Sequence, residues 1–384
     1  MQAGIWTYPW DVLDGDPGAV LRDIAGLGCS AVHLAASYHT VQALLPHNPR
    51  RRTYLADRAG LYFQPRRELW RDCPLQPALS PLLEEQGDAL AIAAPLCRDL
   101  GLRLVAWTVC LHNSDLGYRH PQANVVNVRG EPYRYALCPA NPHVRAYLHT
   151  LVNDLRDRVD AIELEAAHWL PFPHHHHAKL GAPSGAAAQL LLTLCFCQHC
   201  RARAAAAGAD PDRLADSLSR QLDELLAEPP TGGDVEQIEA LQAAEPDLAR
   251  LLAVREEAIT TLVAELARIA GSTPIQAMAP VSGWLTGTDL AALGRVATRL
   301  SVLAYGPPRH VAAVVASARG AVGDGERLHV GLSLLHGDTP DEATFVAALA
   351  AVRGAGVEHV GLYNYGLAPM ERLHWARQAL AGRR

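Results

Sequence analysis

Short β-like runs alternate with Ala/Leu-rich helical patterns from one end of the chain to the other, and nothing else constrains its fold as much. The β-like runs fall near 4–8, 31–37, 103–111, 161–166, 274–278, 299–305, 328–334 and 359–364. Helical patterns follow them over about 17–27, 84–100, 142–157, 185–227 with 234–270, 289–295, 308–320, 340–354 and 369–381. Gly28, Gly101 and Gly356 stand as helix stops just ahead of strands. Eight β-then-α units in strict order predict parallel strands and a (β/α)8 TIM barrel, one domain over 1–384. No G-x-G-x-x-G follows the first strand, as a doubly wound dinucleotide-binding sheet would require.

Three stretches break the regular spacing: 38–83, 112–141 and 167–270, which follow strands 2, 3 and 4. All leave the C-terminal ends of strands, where barrels build their active sites. The third is a long helical insertion carrying a histidine run, a cysteine cluster and acidic helices. Its helices over 211–270 could serve as a lid or an assembly surface, which allows for a homo-oligomer. A net charge of −6 without a basic stripe argues against nucleic acid and anionic membranes as partners. No apolar run reaches the ~18 residues of a membrane span. The first residues lack the basic-then-apolar pattern of an export signal, so a cytoplasmic location is expected. In such a setting eight cysteines point to reduced thiols or a metal rather than to disulfides.

Successive strand residues face opposite ways, so the aliphatic side of each strand marks the helix-packed exterior. In Ala161-Ile162-Glu163-Leu164-Glu165-Ala166, Ile162 and Leu164 take the outside and Glu163 and Glu165 point inward. Two carboxylates ~6.6 Å apart along a strand, in a poorly solvated cavity, push one pKa upward, which is how a general acid stays protonated at neutral pH. The same parity turns His33, Ala35 and Ser37 inward on strand 2, Thr108 and Cys110 on strand 3, and Gln276 and Met278 on strand 5. Tyr8, Trp10, His39, His112, Asn113, His168, Tyr305, His336, Tyr363 and Asn364 then line the mouth. Aromatic faces mixed with hydrogen-bonding groups suit a small saccharide or glycoside.

Cys195-x-Cys197-x-x-Cys200 has the close spacing of a tetrahedral zinc site and needs a fourth ligand. Cys138 is the preferred one because its loop neighbours theirs around the barrel, with His199 as the fallback. Cys138-Pro139-Ala140-Asn141-Pro142, followed by Arg145 and Tyr147, and then the cysteine run after strand 4, resembles the zinc-binding pattern of glycoside hydrolase family 42 β-galactosidases. The resemblance is specific over 138–200. It implies a TIM barrel, a structural Zn2+ held by Cys138, Cys195, Cys197 and Cys200, and Glu165 in the place of the family's acid/base glutamate. The family's Asn-Glu pair reads Leu164-Glu165 here, and the strand-7 segment that carries its nucleophilic Glu reads Gly331-Leu332-Ser333-Leu334-Leu335-His336-Gly337-Asp338. Glu163 or Asp338 is therefore the candidate partner of Glu165.

The run His174-His175-His176-His177, with Lys179, the sole lysine, lies in the same insertion. Imidazoles titrate near neutrality and a lysine pKa shifts readily, so His176 and Lys179 join the substrate-binding candidates. The leading expectation is a glycosidase or related carbohydrate-active enzyme. The second is a metal- or His/Lys-dependent lyase or isomerase on a sugar-like acid. The third is a barrel that binds glycans without catalysis, because the strand-7 Glu is missing.

Overall fold

In the computed structural model, which describes residues 1–174, 179, 185–228 and 232–382, eight parallel strands close into a barrel. They are β1 (Gln2–Thr7), β2 (Ala31–Tyr38), β3 (Arg103–Val109), β4 (Ala161–Glu165), β5 (Ile275–Met278), β6 (Arg299–Leu303), β7 (Leu328–Ser333) and β8 (His359–Tyr363). Each pairs with the next, and β8 returns to β1 with Gly361 opposite Gly4. The crossover helices are α1 (Pro17–Gly26), α2 (Ala89–Asp99), α3 (Pro142–Leu155), α4 (Pro246–Ala270), α5 (Leu290–Val296), α6 (Pro308–Val322), α7 (Glu342–Gly354) and α8 (Met370–Leu380). The fold is therefore the expected (β/α)8 barrel. Aliphatic side chains such as Val32, Leu34, Ile162, Leu164, Val330, Leu332, Val360 and Leu362 are buried in its core.

The three interruptions contain structure of their own. Residues 38–83 include an antiparallel hairpin, Val41–Leu44 with Thr53–Ala56, and a short strand, Gly60–Leu61, antiparallel to β2. Residues 112–141 fold into the helix Ser114–Arg119 and a hairpin, Asn124–Val126 with Pro132–Leu137. After β4 come helices Ala186–Thr193, Gln198–Ala206, Pro211–Ala227 and Asp234–Ala244, which pack Leu190, Leu191, Leu214 and Leu218 into a second apolar cluster. The helical pattern expected over 185–227 is thus broken at Leu194–Cys197, where two of the clustered cysteines sit. No helix among the described residues is long and apolar enough to cross a membrane.

Candidate active site

The barrel floor is organised by Glu163, which is wholly buried. Its Oε2 accepts from Trp6 Nε1 at 2.7 Å and lies 2.8 Å from His33 Nδ1. Its Oε1 accepts from Ser301 Oγ at 2.8 Å and from Gln276 Nε2 at 3.4 Å, with His329 Nδ1 at 3.5 Å. The rings of His33 and His329 stack with centroids 4.9 Å apart. Burial alone would raise the Glu163 pKa, but the charge of His33 and the hydrogen bonds from His329 and His33 outweigh it and hold the carboxyl well below the usual range. Room for the Trp6 indole comes from glycines on two strands: a Cβ would stand 3.0 Å from the ring at Gly331 and 2.5 Å from it at Gly361.

Above this floor, Trp6, Tyr38, Trp107, Tyr305 and Tyr363 enclose an inner chamber of about 160 Å³. Glu165, Met278 and Leu303 line both this chamber and an outer cleft of about 530 Å³. The cleft is lined by apolar side chains (Leu170, Met278, Pro280, Val281, Val314) and by five histidines, His39, His112, His168, His174 and His310. Glu165 stands at the junction, and its Oε2 accepts a hydrogen bond from Trp107 Nε1. Burial, opposed by that bond and reinforced by the charge of Glu163, raises its pKa from 4.5 to about 7. The next residue, Ala166, has a left-handed φ of 52°. Such strain in a non-glycine residue costs about 1 kcal/mol or more and clusters at working sites.

Several expected residues meet at this junction: Glu165, His39, His112, His168, Tyr305 and Tyr363 all line one chamber or the other. Burial lowers the His168 pKa, and its Nδ1 lies 3.0 Å from Trp169 O. Tyr8 sits behind the chamber wall, its hydroxyl 2.9 Å from those of Tyr38 and Tyr363. Other candidates are spent elsewhere. Trp10 is buried between Tyr8 and Tyr54, at centroid distances of 4.4 and 4.1 Å. Asn113 caps the helix Ser114–Arg119 by accepting from Leu116 N. Asn364 is buried and accepts from Gly366 N. His336 and Asp338 lie in the turn after β7, where His336 pairs with Arg372, and neither lines a chamber. Lys179 is exposed and lines neither chamber, and His176 falls outside the described residues.

Sequence parity missed Trp6, Tyr38, Trp107 and His310. Trp6 was within reach, two residues before Tyr8 on one strand face. Tyr38 was hidden by a bulge between Ala35 and Ser37, which reverses the alternation and leaves Ser37 bonded to Val109 O. On β3 the expected inward set was the wrong one. Trp107 enters the chamber, while Thr108 and Cys110 bond to backbone carbonyls of their own strand segment. The indole has a carboxylate to meet inside the barrel, whereas Thr108 satisfies its hydroxyl locally.

The four cysteines come together as the spacing and the resemblance led one to expect. Asn141 caps α3 through His143 N and Val144 N with Pro142 at its first position, so the Cys138 segment ends where that helix starts. The sulfurs of Cys138, Cys195, Cys197 and Cys200 are buried and lie within 4.8 Å of one another. Cys138 Sγ is 3.6 Å from those of Cys197 and Cys200 and 3.9 Å from that of Cys195. Four sulfurs at ~2.3 Å from a central ion in a tetrahedron stand ~3.8 Å apart, so the set fits a metal ion. A disulfide would need ~2.05 Å. Arg255 supports the fit: it is buried against Trp169, and its Nε and Nη1 have no hydrogen-bond partner. Burial lowers its pKa to about 10 against the pull of Cys200 and Cys195, so a cation stands beside the thiols. Among the described residues no other group of three ligands has metal-holding geometry.

No protein-family model matches the chain, and no curated protein matches it in sequence. Solved structures do match in fold. The β-galactosidase of the psychrophilic Marinomonas ef1 is 11% identical with a TM-score of 0.60 over 99% of this chain and 59% of its own. The α-L-fucosidase isoenzyme 2 of Paenibacillus thiaminolyticus is 11% identical with a TM-score of 0.59 over 100% of this chain and 49% of its own. The cold-adapted β-galactosidase of Rahnella sp. R3 is 9% identical with a TM-score of 0.59 over 99% and 55%. The chain thus spans about half to three-fifths of the length of these proteins, and what it shares with them is the TIM-barrel fold.

Proposed function

We propose that the protein is a glycosidase, or a closely related carbohydrate-active enzyme, acting on a small saccharide or glycoside with Glu165 as its general acid and then general base. One observation carries the reading: a carboxyl with a pKa of about 7 stands at the end of β4, where an aromatic chamber opens into a wider cleft. Such a carboxyl can deliver a proton to a leaving oxygen near neutral pH and recover it from water afterwards. The rings of the chamber offer faces to a sugar ring, and Tyr305 and Tyr363 offer hydroxyls. The fold likeness to two β-galactosidases and a fucosidase supports chemistry of this class. Glu163 works from the floor, where its charge adds to the burial that chiefly raises the Glu165 pKa. The metal at the cysteines is zinc in this reading, and structural, because four thiolates leave no coordination position open.

A panel of glycosides with activated aryl leaving groups tests the proposal. Wild type releases the aryl alcohol, with a rate that falls as the pH rises through about 7. Glu165→Gln, with the fold retained, lowers kcat/KM by about 10³-fold on glycosides with poor leaving groups and by less as the aryl group becomes more acidic. A wild type that binds sugars but turns over none of the panel would return the barrel to a glycan-binding role.

A further inference from the structure

The glycosidase reading leaves a chemical gap. Glycoside hydrolysis with two protein carboxylates needs a second one roughly 5–5.5 Å away for retention, or 6.5–9.5 Å away for inversion. Among the described residues, Glu165 is the only Asp or Glu lining either chamber. The stretches outside them (175–178, 180–184, 229–231 and 383–384) contain no Asp or Glu at all. Glu163 is sealed beneath the chamber with both oxygens engaged. β7 ends on Ser333, whose Oγ already accepts from Leu335 N. Among the described residues the chambers hold an acid and no second carboxylate to attack the anomeric carbon.

We propose, resting on the glycosidase reading, that the substrate brings its own nucleophile: the inner chamber takes a 2-acetamido-2-deoxy sugar whose acetamido oxygen attacks the anomeric carbon as Glu165 protonates the leaving oxygen. In the first step the carbonyl oxygen bonds to C1, the C1–O bond to the leaving group breaks, and the Glu165 proton goes to the departing oxygen. The sugar becomes a cyclic oxazolinium ion and Glu165 a carboxylate. In the second step Glu165 takes a proton from water, the water oxygen bonds to C1, and the C1–O bond to the acetamido group breaks. Water is consumed, the acetamido group is regenerated and the configuration at C1 is retained. An intramolecular nucleophile held in line has a very large effective concentration, on the order of 10⁵ M or more.

The chamber suits each part of that group. Tyr305 lines it with a hydroxyl that makes no hydrogen bond to the described residues, and Tyr363 stands beside it with ring centroids 5.6 Å apart. Burial raises the pKa of both, so both remain donors toward a carbonyl oxygen. Met278 and Leu303 supply an apolar corner for the acetamido methyl. Trp6 and Trp107 line the chamber, and indole rings favour a positive charge such as the one that develops at C1.

The test compares 4-nitrophenyl 2-acetamido-2-deoxy-β-glycosides of the gluco and galacto series with their 2-hydroxy counterparts. The expected result is a kcat/KM at least 100-fold higher for the acetamido sugars. It also includes at least a 10-fold loss when the acetamido group is replaced by the less nucleophilic trifluoroacetamido group, and tight inhibition by the corresponding thiazoline. Tyr305→Phe, which removes a donor to the acetamido oxygen, lowers kcat by about 100-fold with little change in KM. Comparable turnover of 2-hydroxy sugars overturns the proposal and leaves the glycosidase reading standing. So does acetamido turnover that is indifferent to fluorination. No turnover in either series removes the glycosidase reading and the proposal together.

Discussion

Glu163 and Glu165 are two residues apart on one strand and titrate in opposite directions, because one meets two histidines and the other meets an indole and a cavity. The raised pKa of Glu165 has a consequence for stability. The neutral form is favoured in the folded state, so the stability tied to this site is fully present below the unfolded value near 4.5 and is lost as the pH rises through about 7. Discounting for its partial exposure, the loss amounts to about 2–3 kcal/mol. Glu165→Gln, which cannot ionise, should match wild type in denaturant midpoint at pH 4 and exceed it at pH 8. Equal midpoints at both pH values would mean that the carboxyl titrates like a solvated one. That Glu165 points inward was legible from Ile162 and Leu164 alone. That Trp107 would be its partner was not, since either face of β3 carries plausible core residues.

At the scale of elements, strands β7 and β8 are shaped around a side chain from β1. Gly331 and Gly361 leave the space that Trp6 fills, and Trp6 in turn donates to Glu163 on β4. Gly361→Ala would press a methyl to 2.5 Å from the Trp6 ring and 2.7 Å from His329 Cε1. Neither ring can swing away without leaving Glu163, so the expected destabilisation is about 1–3 kcal/mol, read as a lower denaturant midpoint with a changed tryptophan emission. An unchanged midpoint would show that the floor is more yielding than its hydrogen bonds suggest. The strands and most helices could be read from hydrophobic period and helix stops. The bulge in β2 could not, because nothing in Ala35-Ala36-Ser37-Tyr38 marks an extra residue, and the inward turn of Tyr38 depends on it.

Across the whole molecule, the cysteine cluster ties the loop after β3 to the insertion after β4, with Arg145 of α3 and Arg255 of α4 close by. Elemental analysis should find about one zinc per chain, and Cys197→Ser should lower the melting temperature by about 5 °C or more through loss of the metal. Metal-free protein that melts where the native protein does would make the cluster a set of buried thiols. From the residues alone follow the barrel, the Cys195–Cys200 thiol run, the inward pair on β4 and a mouth rich in histidine and tyrosine, because each depends on local period or short spacing; Cys138 joined the run through the adjacency of two barrel loops. Tertiary structure alone decided which acid is sealed and which is open, that Trp6, Tyr38 and Trp107 wall the chamber, that His310 reaches the cleft from the start of α6, and that among the described residues no second carboxylate lines either chamber. These depend on side chains from strands and loops far apart in sequence competing for one interior, and chain order does not encode the winners of that competition.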